Sequence, residues 1–253
     1  MGITIQQFEG LPLVEPNDDL AQILIELLPQ QQFQLKEHDV LVIAQKIVSK
    51  AEGRQVLLSE VSPSFTAKKL AQEVEKDARL VEVILQESTE IVRKKKGVLI
   101  TRHRLGHVSA NAGVDQSNIS HEAGPSALLL PLDPDESARK IQQRIAQQYG
   151  MNVGVIISDS ANRPWRLGST SIAIGVANCA VLEDRRGEHD IFGRTFKITM
   201  VNRADNIATA ANLVMGETTE QIPVAVVRGI PNTFPNDQSV KVCHRPLSED
   251  LFR

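Results

Sequence analysis

Residues 155–166, which read VIISDSANRPWR, combine an apolar run with side chains that bind metals and anions. The run VII predicts a strand that delivers the carboxylate of Asp159 into a polar loop holding Arg163 and Arg166. Hard divalent cations take oxygen ligands, and guanidinium groups match the oxygens of phosphate. The stretch therefore predicts a metal or phosphate site. The alternative is a surface loop in which Asp159 caps a turn and Trp165 fills a gap in the core.

A second cluster, Gln45, Lys46 and Lys50, directly follows an apolar strand predicted over residues 39–44. The two lysines are four residues apart, so on a helix they could hold the phosphates of a ligand together. The alternative is a solvated lysine face whose aliphatic stems cover apolar surface.

A third cluster lies in residues 110–118, which read ANAGVDQSN. Asp115 offers oxygen ligands, Asn118 offers an amide, and Gly113 permits a tight backbone turn. The alternative is an Asx turn without a ligand. A fourth, residues 215–220 (MGETTE), stands at a predicted helix end, where a C-cap fully explains Gly216.

A basic segment runs through residues 93–107, with the run RKKK at its start and Arg102, His103, Arg104 and His107 further on. Such a segment is typical of a solvated surface or of one that receives an anion. It lacks the interleaved aromatic side chains that stack nucleobases, so nucleic acid is a minor option. The formal net charge of −3 also argues against general nucleic-acid affinity.

Composition narrows the class of protein. The 253 residues are 42% hydrophobic, which is ample for a packed core, and two cysteines cannot build a disulfide framework. With neither a secretory signal nor an apolar run long enough to span a bilayer, the expected location is cytoplasmic. The chain lacks a P-loop, a dinucleotide-binding fingerprint, a GxSxG elbow and paired zinc ligands, so any nucleotide site must be of an uncommon type.

Helical and extended patterns alternate along the chain and must position these clusters. Helices are predicted from an N-cap at Asn17 to Pro29, over residues 66–88, from an N-cap at Asp133 to Gly150, and over residues 204–215. Strands are predicted over residues 39–44, 155–157, 171–177, 195–201 and 222–227. We expect a single domain over residues 1–253, with a subdivision near residues 104–134 as the alternative.

Several segments together resemble one known family. In chain order they are residues 39–54 (DVLVIAQKIVSKAEGR), 110–118 (ANAGVDQSN), 158–168 (SDSANRPWRLG), 213–217 (LVMGE) with 224–229 (VAVVRG), and 245–253 (RPLSEDLFR). They resemble the coenzyme F420:L-glutamate ligase family, F420 being a deazaflavin cofactor. The resemblance spans nearly the whole chain in order, which makes it far more specific than any one motif.

The resemblance implies an enzyme that uses GTP to add L-glutamate to the side chain of the deazaflavin, first at a terminal carboxylate and then through a γ-glutamyl link. It implies an α+β fold with mixed sheets and packed helices, outside the P-loop and Rossmann classes. It further implies a homodimer, two divalent ions, Mg²⁺ or Mn²⁺, and K⁺ as a helper.

Site residues follow from the same resemblance, position by position. Asp115, Asp159 and Glu217 would be the catalytic carboxylates. Asp115 and Asp159 would ligate one metal ion, and Ser160 and Glu217 the second. GTP would contact Leu11, Pro12, Leu13, Val14, Gln45, Lys46, Lys50, Asn118, Met215, Gly216, Glu217, Thr218, Thr219, Glu220, Gln221 and Ile222.

This chemistry is physically coherent. A carboxylate does not react with an amine at neutral pH, so phosphoryl transfer from GTP must first form an acyl phosphate. Paired metals would neutralise the phosphates and align the attacking carboxylate, and a closed site would keep water away from the acyl phosphate. The basic segment could receive the anionic substrate, while Arg163 or Arg166 could hold a carboxylate or a phosphate.

Some residues depart from the family's pattern. Ser160 stands where threonine is usual, and Ala161 and Asn162 stand where a bulky residue and glycine are common. Residues 11–14 lack an acidic residue, and Ser169 and Ser171 replace more polar choices. The alternatives are therefore a related ligase that acts on another carboxylated acceptor, and a protein that binds a nucleotide or a deazaflavin without turnover.

Overall fold

The computed structural model describes residues 2–231 and 237–251. The α-helices are α1 (Leu20–Leu27), α2 (Gln45–Ala51), α3 (Phe65–Val74), α4 (Ala78–Gln86), α5 (Pro134–Tyr149) and α6 (Arg203–Met215). The strands are β1 (Thr4–Gln7), β2 (Val40–Ala44), β3 (Gln55–Leu57), β4 (Ser88–Lys95), β5 (Val98–His103), β6 (Val108–Ala110), β7 (Ser126–Leu128), β8 (Gly154–Asn162), β9 (Ser169–Ala177), β10 (Leu182–Asp184), β11 (Met200–Asn202) and β12 (Val224–Arg228). Residues 252 and 253 of the 245–253 motif lie outside the described residues.

Five strands form the central sheet, in the order β1-β12-β2-β8-β9. β2 and β8 run parallel, and the other neighbours pair antiparallel. Leu41 and Ile43 of β2 join a core with α1 and α5, whereas Val40 and Val42 join the core under α6. Because side chains alternate between the faces of a sheet, a strand covered on both faces is apolar throughout, as VLVIA is. The mixed sheets and packed helices confirm the expected α+β fold.

A separate hydrophobic core lies among α3, α4 and the smaller sheets. β4, β5 and β6 form an antiparallel sheet, and β3 pairs antiparallel with β7. Leu70, Val74, Val81, Ile84 and Leu99 are among its buried side chains. The division of the chain into one domain or two stays a prediction, which limited proteolysis would test. In the described part of the chain, each helix is too short or too polar to cross a bilayer.

Two predicted helix boundaries are wrong. The carboxylate of Asp19, rather than the side chain of Asn17, caps α1, and Asn17 has a φ of 72°, which a right-handed helix does not use. The helix predicted over residues 66–88 is two helices, because Glu75 adopts the left-handed conformation with a φ of 52°. Asp77 then caps α4. Neither glycine nor proline marks this break in the sequence.

The long helix α5 begins and ends where its sequence predicts. The carboxylate of Asp133 accepts a hydrogen bond from the backbone N–H of Glu136, and Pro134 occupies the first helical position. Gly150 ends the helix in the left-handed conformation. The predicted helix over residues 204–215 is confirmed as α6, which Gly216 follows.

The strand that carries Asp159 is longer than predicted. β8 continues to Asn162, because residues 159–162 pair with residues 169–172 of β9. Asp159 therefore lies on a paired strand rather than in the predicted polar loop. The turn that joins β8 to β9 begins only at residue 163.

The strand predicted over residues 195–201 is wrong. Only Met200–Asn202 forms a strand, β11, which pairs with β10. The preceding residues form an exposed excursion in which the N–H of Gly187 donates to the carbonyl of Phe196. Ile198 is 87% exposed, so the alternating apolar side chains do not line a buried face. We call residues 185–199 the exposed excursion.

Candidate active site

The carboxyl ends of the parallel strands β2 and β8 lie side by side, because Ala44 pairs with Ser158. Gln45 begins α2 directly after β2, and Asp159 follows Ser158 on β8. In open α/β sheets, ligands bind outside the carboxyl ends of the strands. The topology therefore brings two of the predicted clusters to one edge of the central sheet.

Asp115 reaches the same edge from the third cluster and forms an ion pair with Lys46, at 2.6 Å between the carboxylate and Nζ. The hydroxyl of Ser117 accepts from Lys46 and donates to Asp115, each at 2.8 Å. The backbone N–H of Ser117 also donates to Asp115, so the Asx turn is present and the carboxylate it holds faces Lys46. Burial raises the pKa of Asp115, but the Lys46 and Ser117 hydrogen bonds outweigh it and lower the pKa.

The pKa of Asp159 shifts in the opposite direction to that of Asp115. Burial raises the pKa of Asp159 to about 7, and the charge of Asp115 raises it further, against the lowering effects of the Ser160 backbone N–H, Lys46 and the Gln45 amide. Two facing carboxylates repel one another when both are ionised. A divalent cation between them would relieve this repulsion, because the ion is the largest local charge in such a site.

Ser160 follows Asp159 but points to the other face of β8, since successive side chains of a strand alternate. The Ser160 hydroxyl donates to the carboxylate of Glu217 at 2.5 Å, and the Asn212 amide donates to the other carboxylate oxygen at 2.9 Å. Gly216 precedes Glu217 with a φ of 73°, and a Cβ there would lie 2.2 Å from the side chain of Glu220. Only glycine fits this turn without rearrangement.

The predicted metal ligands thus form two pairs, Asp115 with Asp159 on one face of β8 and Ser160 with Glu217 on the other. Within residues 2–231 and 237–251, no three His, Cys, Asp or Glu side chains form a group that could hold a metal ion. Mg²⁺ is usually bound by one or two carboxylates together with substrate phosphates and water, rather than by an all-protein cage. The oxygen donors of the two pairs therefore fit a metal that a bound nucleotide helps to hold.

The loops predicted to contact GTP are joined to each other. The side-chain amide of Asn118 donates to the carbonyl of Thr218 at 3.1 Å, which links the third cluster to the loop after α6. That loop exposes Thr219, Glu220 and Gln221, while Ile222 is half-buried, and Met215, the last residue of α6, is buried in the core between α6 and the sheet.

The remaining predicted GTP contacts differ in their surroundings. Burial lowers the pKa of Lys50, and the charge of Lys46 lowers it further. Gln45 is 3% exposed and lies beneath the surface. Residues 11–14 belong to the edge of the core: Leu11 and Val14 pack against it, whereas Pro12 and Leu13 are exposed. This turn takes no part in the contacts that join the two carboxylate pairs.

Four of the six lysine and arginine charges in the basic segment are matched by carboxylates of the same chain. Lys94 pairs with Glu73, Lys96 with Glu75, Arg102 with Glu90 and Asp250, and Arg104 with Glu87. Glu87 also accepts from Arg54 and contacts buried His103. We call Glu87, Arg54, His103 and Arg104 the Glu87 cluster.

Arg163 and Arg166 lie in the exposed turn between β8 and β9. Trp165 in this turn is 88% exposed, so the alternative in which it fills a gap in the core is wrong. Three partners of the predicted residues, Ser117, Asn212 and Ser49, were not predicted from the sequence. Two of them had a local signal: Ser49 stands four residues after Gln45 on one helix, and Ser117 stands two residues after Asp115, where an Asx turn places its N–H.

The structure defines an α+β protein with mixed sheets, in which paired carboxylates and lysines meet at the carboxyl ends of two parallel strands. A family model described as F420-0:Gamma-glutamyl ligase matches residues 10–229. The chain therefore belongs to the F420-0:gamma-glutamyl ligase family, as its motifs predict.

Curated relatives are similar over nearly their whole length. A protein of Methanothermobacter thermautotrophicus named coenzyme F420:L-glutamate ligase is 42% identical over 100% of both chains. Proteins of the same name from Methanopyrus kandleri and Methanocaldococcus jannaschii are 44% and 45% identical, over 100% and 96% of this chain and 99% and 94% of their own. The similarity thus covers all three hydrophobic cores and the candidate site.

Proposed function

We propose that this protein is a ligase that joins L-glutamate to a precursor of the deazaflavin coenzyme F420 at the expense of GTP. Family membership and the names of the relatives support the substrates. The observation that carries a catalytic role is the pair of carboxylates, Asp115 and Asp159, beside Lys46 at the edge of the sheet. Carboxylates with strongly perturbed pKa values are concentrated at functional sites, which supports this role.

Two divalent ions, Mg²⁺ or Mn²⁺, would be held by the pairs Asp115 with Asp159 and Ser160 with Glu217. When bound, such ions neutralise phosphate oxygens and align the groups of an in-line displacement. Lys46 already neutralises Asp115 and reaches over it, so its ammonium would also attract the phosphates of GTP. K⁺ as a helper ion belongs to the same proposal.

In the first step, a carboxylate oxygen of the acceptor attacks the γ-phosphorus of GTP. The bond from that phosphorus to the bridging oxygen breaks, GDP leaves, and an acyl phosphate remains on the acceptor. Lys50 would contribute here, because its half-buried ammonium has a lowered pKa that a nearby phosphate would raise again. Asn118 and Thr218 would hold the two nucleotide loops together.

In the second step, the amine of glutamate attacks the acyl carbon, phosphate leaves, and the amine gives up a proton to form the amide. Arg163 and Arg166, in the turn after β8, are the candidates for holding the carboxylate of the incoming glutamate. Water must be kept out during this step, because it would hydrolyse the acyl phosphate.

A homodimer is also part of the proposal. The exposed excursion presents Ile191, Phe192 and Ile198, which are 92%, 90% and 87% exposed in the single chain. An apolar surface of this kind marks an interaction site more often than a solvated loop. We expect Phe192→Asp to convert a dimer to a monomer in light scattering coupled to size exclusion. A wild-type protein that is already monomeric would contradict the dimer.

The test of the function is mass spectrometry of the deazaflavin precursor after incubation with the protein, L-glutamate, GTP and Mn²⁺. Parallel reactions replace GTP with ATP or omit the metal. We expect a gain of glutamyl units that requires both GTP and metal, and the mass will count the additions. A gain of glutamyl units with ATP in place of GTP would contradict GTP dependence. If no glutamyl unit is gained, the deazaflavin precursor is not the acceptor, and a ligase acting on another carboxylated acceptor becomes the favoured function.

A further inference from the structure

Two polar side chains of α2 are buried beside the candidate site. Ser49 is 0% exposed and Gln45 is 3% exposed, so both are buried together with their apolar helix neighbours Ile47 and Val48. Buried polar groups are costly unless they are hydrogen-bonded. The Ser49 hydroxyl bonds the side-chain oxygen of Gln45 at 2.8 Å. A serine in a helix often bonds the backbone carbonyl four residues earlier, so this side-chain contact is a specific arrangement.

The partners fix the direction of every hydrogen bond in this chain of contacts. Gln45 and Asp159 directly follow Ala44 and Ser158, which pair in the parallel ladder, so the Gln45 side chain lies beside the Asp159 carboxylate and lowers its pKa through a hydrogen bond. An amide oxygen only accepts, so the Ser49 hydroxyl donates to it and the oxygen of Gln45 faces Ser49. The NH₂ group is therefore the end of Gln45 that faces Asp159. The order of donation is therefore Ser49 to Gln45 to Asp159.

Removal of the Ser49 hydroxyl would free the amide to rotate. A rotated amide would present its oxygen to the carboxylate of Asp159, and two acceptors repel each other. The buried amide oxygen would also lose its donor, which costs free energy in a site closed to water. Ser49 thus selects one of the two orientations of Gln45 and, through it, the position of the Asp159 carboxylate.

We propose that Ser49 is a positioning residue that orients the Asp159 carboxylate for a divalent ion by holding the amide of Gln45. This rests on the proposed function, which makes Asp159 a metal ligand. Partners one contact removed from a metal hold the ligand in the geometry the ion needs, and their loss typically weakens metal affinity by about 10-fold or more. Ser49 itself touches neither metal nor substrate.

The test combines two readouts on the full-length protein. Nitrogen-15 NMR of the metal-free protein follows the side-chain NH₂ of Gln45, identified by its absence in Gln45→Met. Electron paramagnetic resonance then measures the affinity for Mn²⁺. We expect Ser49→Ala to shift the Gln45 signal, to speed its exchange with water, and to raise the Mn²⁺ dissociation constant by about 10-fold. Circular dichroism checks that each variant is folded.

A double-mutant cycle separates positioning from simple loss of stability. If Ser49 acts through Gln45, then Ser49→Ala causes no further loss of Mn²⁺ affinity in the Gln45→Met background. Ser88→Ala is the matched control, because the Ser88 hydroxyl donates to the carbonyl of Ile84 at the end of α4. It should lower thermal stability and leave Mn²⁺ affinity unchanged.

The experiments distinguish failure of the positioning role of Ser49 from failure of the proposed metal function of Asp159. Unchanged Mn²⁺ affinity in Ser49→Ala, with tight binding by the wild type, overturns the role of Ser49 and leaves the proposed function intact. An unchanged Gln45 signal does the same. A wild type that binds no Mn²⁺, with its Gln45 signal still protected, overturns the metal function of Asp159 and the positioning role together.

Discussion

Asp159 and Glu87 are carboxylates in two regions of the molecule with opposite electrostatics. Burial raises the pKa of Asp159 to about 7, and the neighbouring Asp115 adds to the shift. Burial would also raise the pKa of Glu87, but the hydrogen bond from His103 and the charges of Arg104 and Arg54 lower it to about 2. The Glu87 cluster is internally matched, whereas the carboxylates at the sheet edge are not.

The difference separates a structural cluster from a candidate site. Both regions are rich in charge, and the basic segment noted in the sequence contributes His103 and Arg104 to the Glu87 cluster. The Glu87 cluster uses its cations within the fold, so it holds β5 and its neighbours without needing a ligand. The sheet edge leaves one carboxylate that an external cation would stabilise, which is typical of a functional site. Four predictions test this contrast.

The largest expected effect is on turnover. We expect Asp159→Asn to abolish glutamyl transfer, because an amide cannot supply the charge that holds a divalent ion. Stability should stay the same or rise, since the substitution removes repulsion with Asp115. Mass spectrometry of the product and thermal unfolding measure the two effects. An active variant with unchanged metal dependence would show that Asp159 is not a metal ligand.

Glu87→Gln should show the reverse pattern. Removing one partner of a buried ion pair typically costs about 3 kcal/mol or more, because the remaining charges are left uncompensated. Arg54 and Arg104 would lose their shared carboxylate, so the free energy of unfolding in urea should fall by about 3 kcal/mol. Turnover of the folded protein should not change. If the free energy of unfolding falls only as little as it does when an exposed ion pair is broken, the Glu87 cluster does not stabilise the fold as proposed.

Two groups with lowered pKa values, His107 and Glu87, should each remove stability in acid, in two separate ranges of pH. A group whose pKa is lower in the folded protein contributes stability above its unfolded pKa and loses it as the pH falls through its folded pKa. Burial, with the charges of His103 and His244, lowers the pKa of His107 from 6.5 to about 3. Glu87 goes from 4.5 to about 2. His107 therefore removes stability below pH 6.5, and Glu87 removes more below pH 4.5. Asp159 acts in the opposite sense, because its pKa is raised from 3.8 to about 7 and it adds stability as the pH falls through that range.

Urea unfolding of the wild type and of each variant at a series of pH values measures these contributions. The stability of His107→Leu relative to the wild type should rise as the pH falls from 6.5 to 4.5, where Glu87 does not yet titrate. The stability of Glu87→Gln relative to the wild type should rise only below pH 4.5. A stability difference between His107→Leu and the wild type that does not change from pH 7 to pH 5 would show that His107 is accessible to protons in the folded protein.

The smallest expected effects are at the surface of the basic segment. Lys94→Ala and Lys96→Ala each break an exposed ion pair, and such pairs contribute little or nothing measurable to stability because solvent screens them. Because Lys94 is already matched by Glu73 of α3 and Lys96 by Glu75 directly after that helix, we expect no change in the KM for the deazaflavin precursor. A marked rise in KM for either variant would restore the hypothesis that this segment receives the anionic substrate.

Much of the fold could be predicted from local patterns. The apolar run of β2 identifies a strand covered on both faces, and the caps at Asp133 and Gly150 fix the ends of α5. The break at Glu75 could not be predicted, because a left-handed glutamate has no local signature. The strand predicted over residues 195–201 was also wrong, because alternating apolar side chains predict a strand whether or not another surface covers them.

The sequence predicted which residues belong to the site but not how they pair in space. Motifs identified Asp115, Asp159 and Glu217, which lie far apart in the sequence. Their separation into two pairs depends on β8 remaining a strand through Asn162, and that pairing comes from β9. Partners such as Asn212 become visible only when helix α6 is placed against the sheet. Contacts of this kind are tertiary, so one sequence does not reveal them.

The alternation of side chains along β8 has a consequence for how this family can vary. Asp159 and Ser160 are joined by one peptide bond, yet they serve compartments on opposite sides of the sheet. Substitution at either position alters one compartment and leaves the other in place. Insertion or deletion of a single residue just before them would exchange the two compartments at once. The length of this strand should therefore vary less among functional relatives than the identity of its residues.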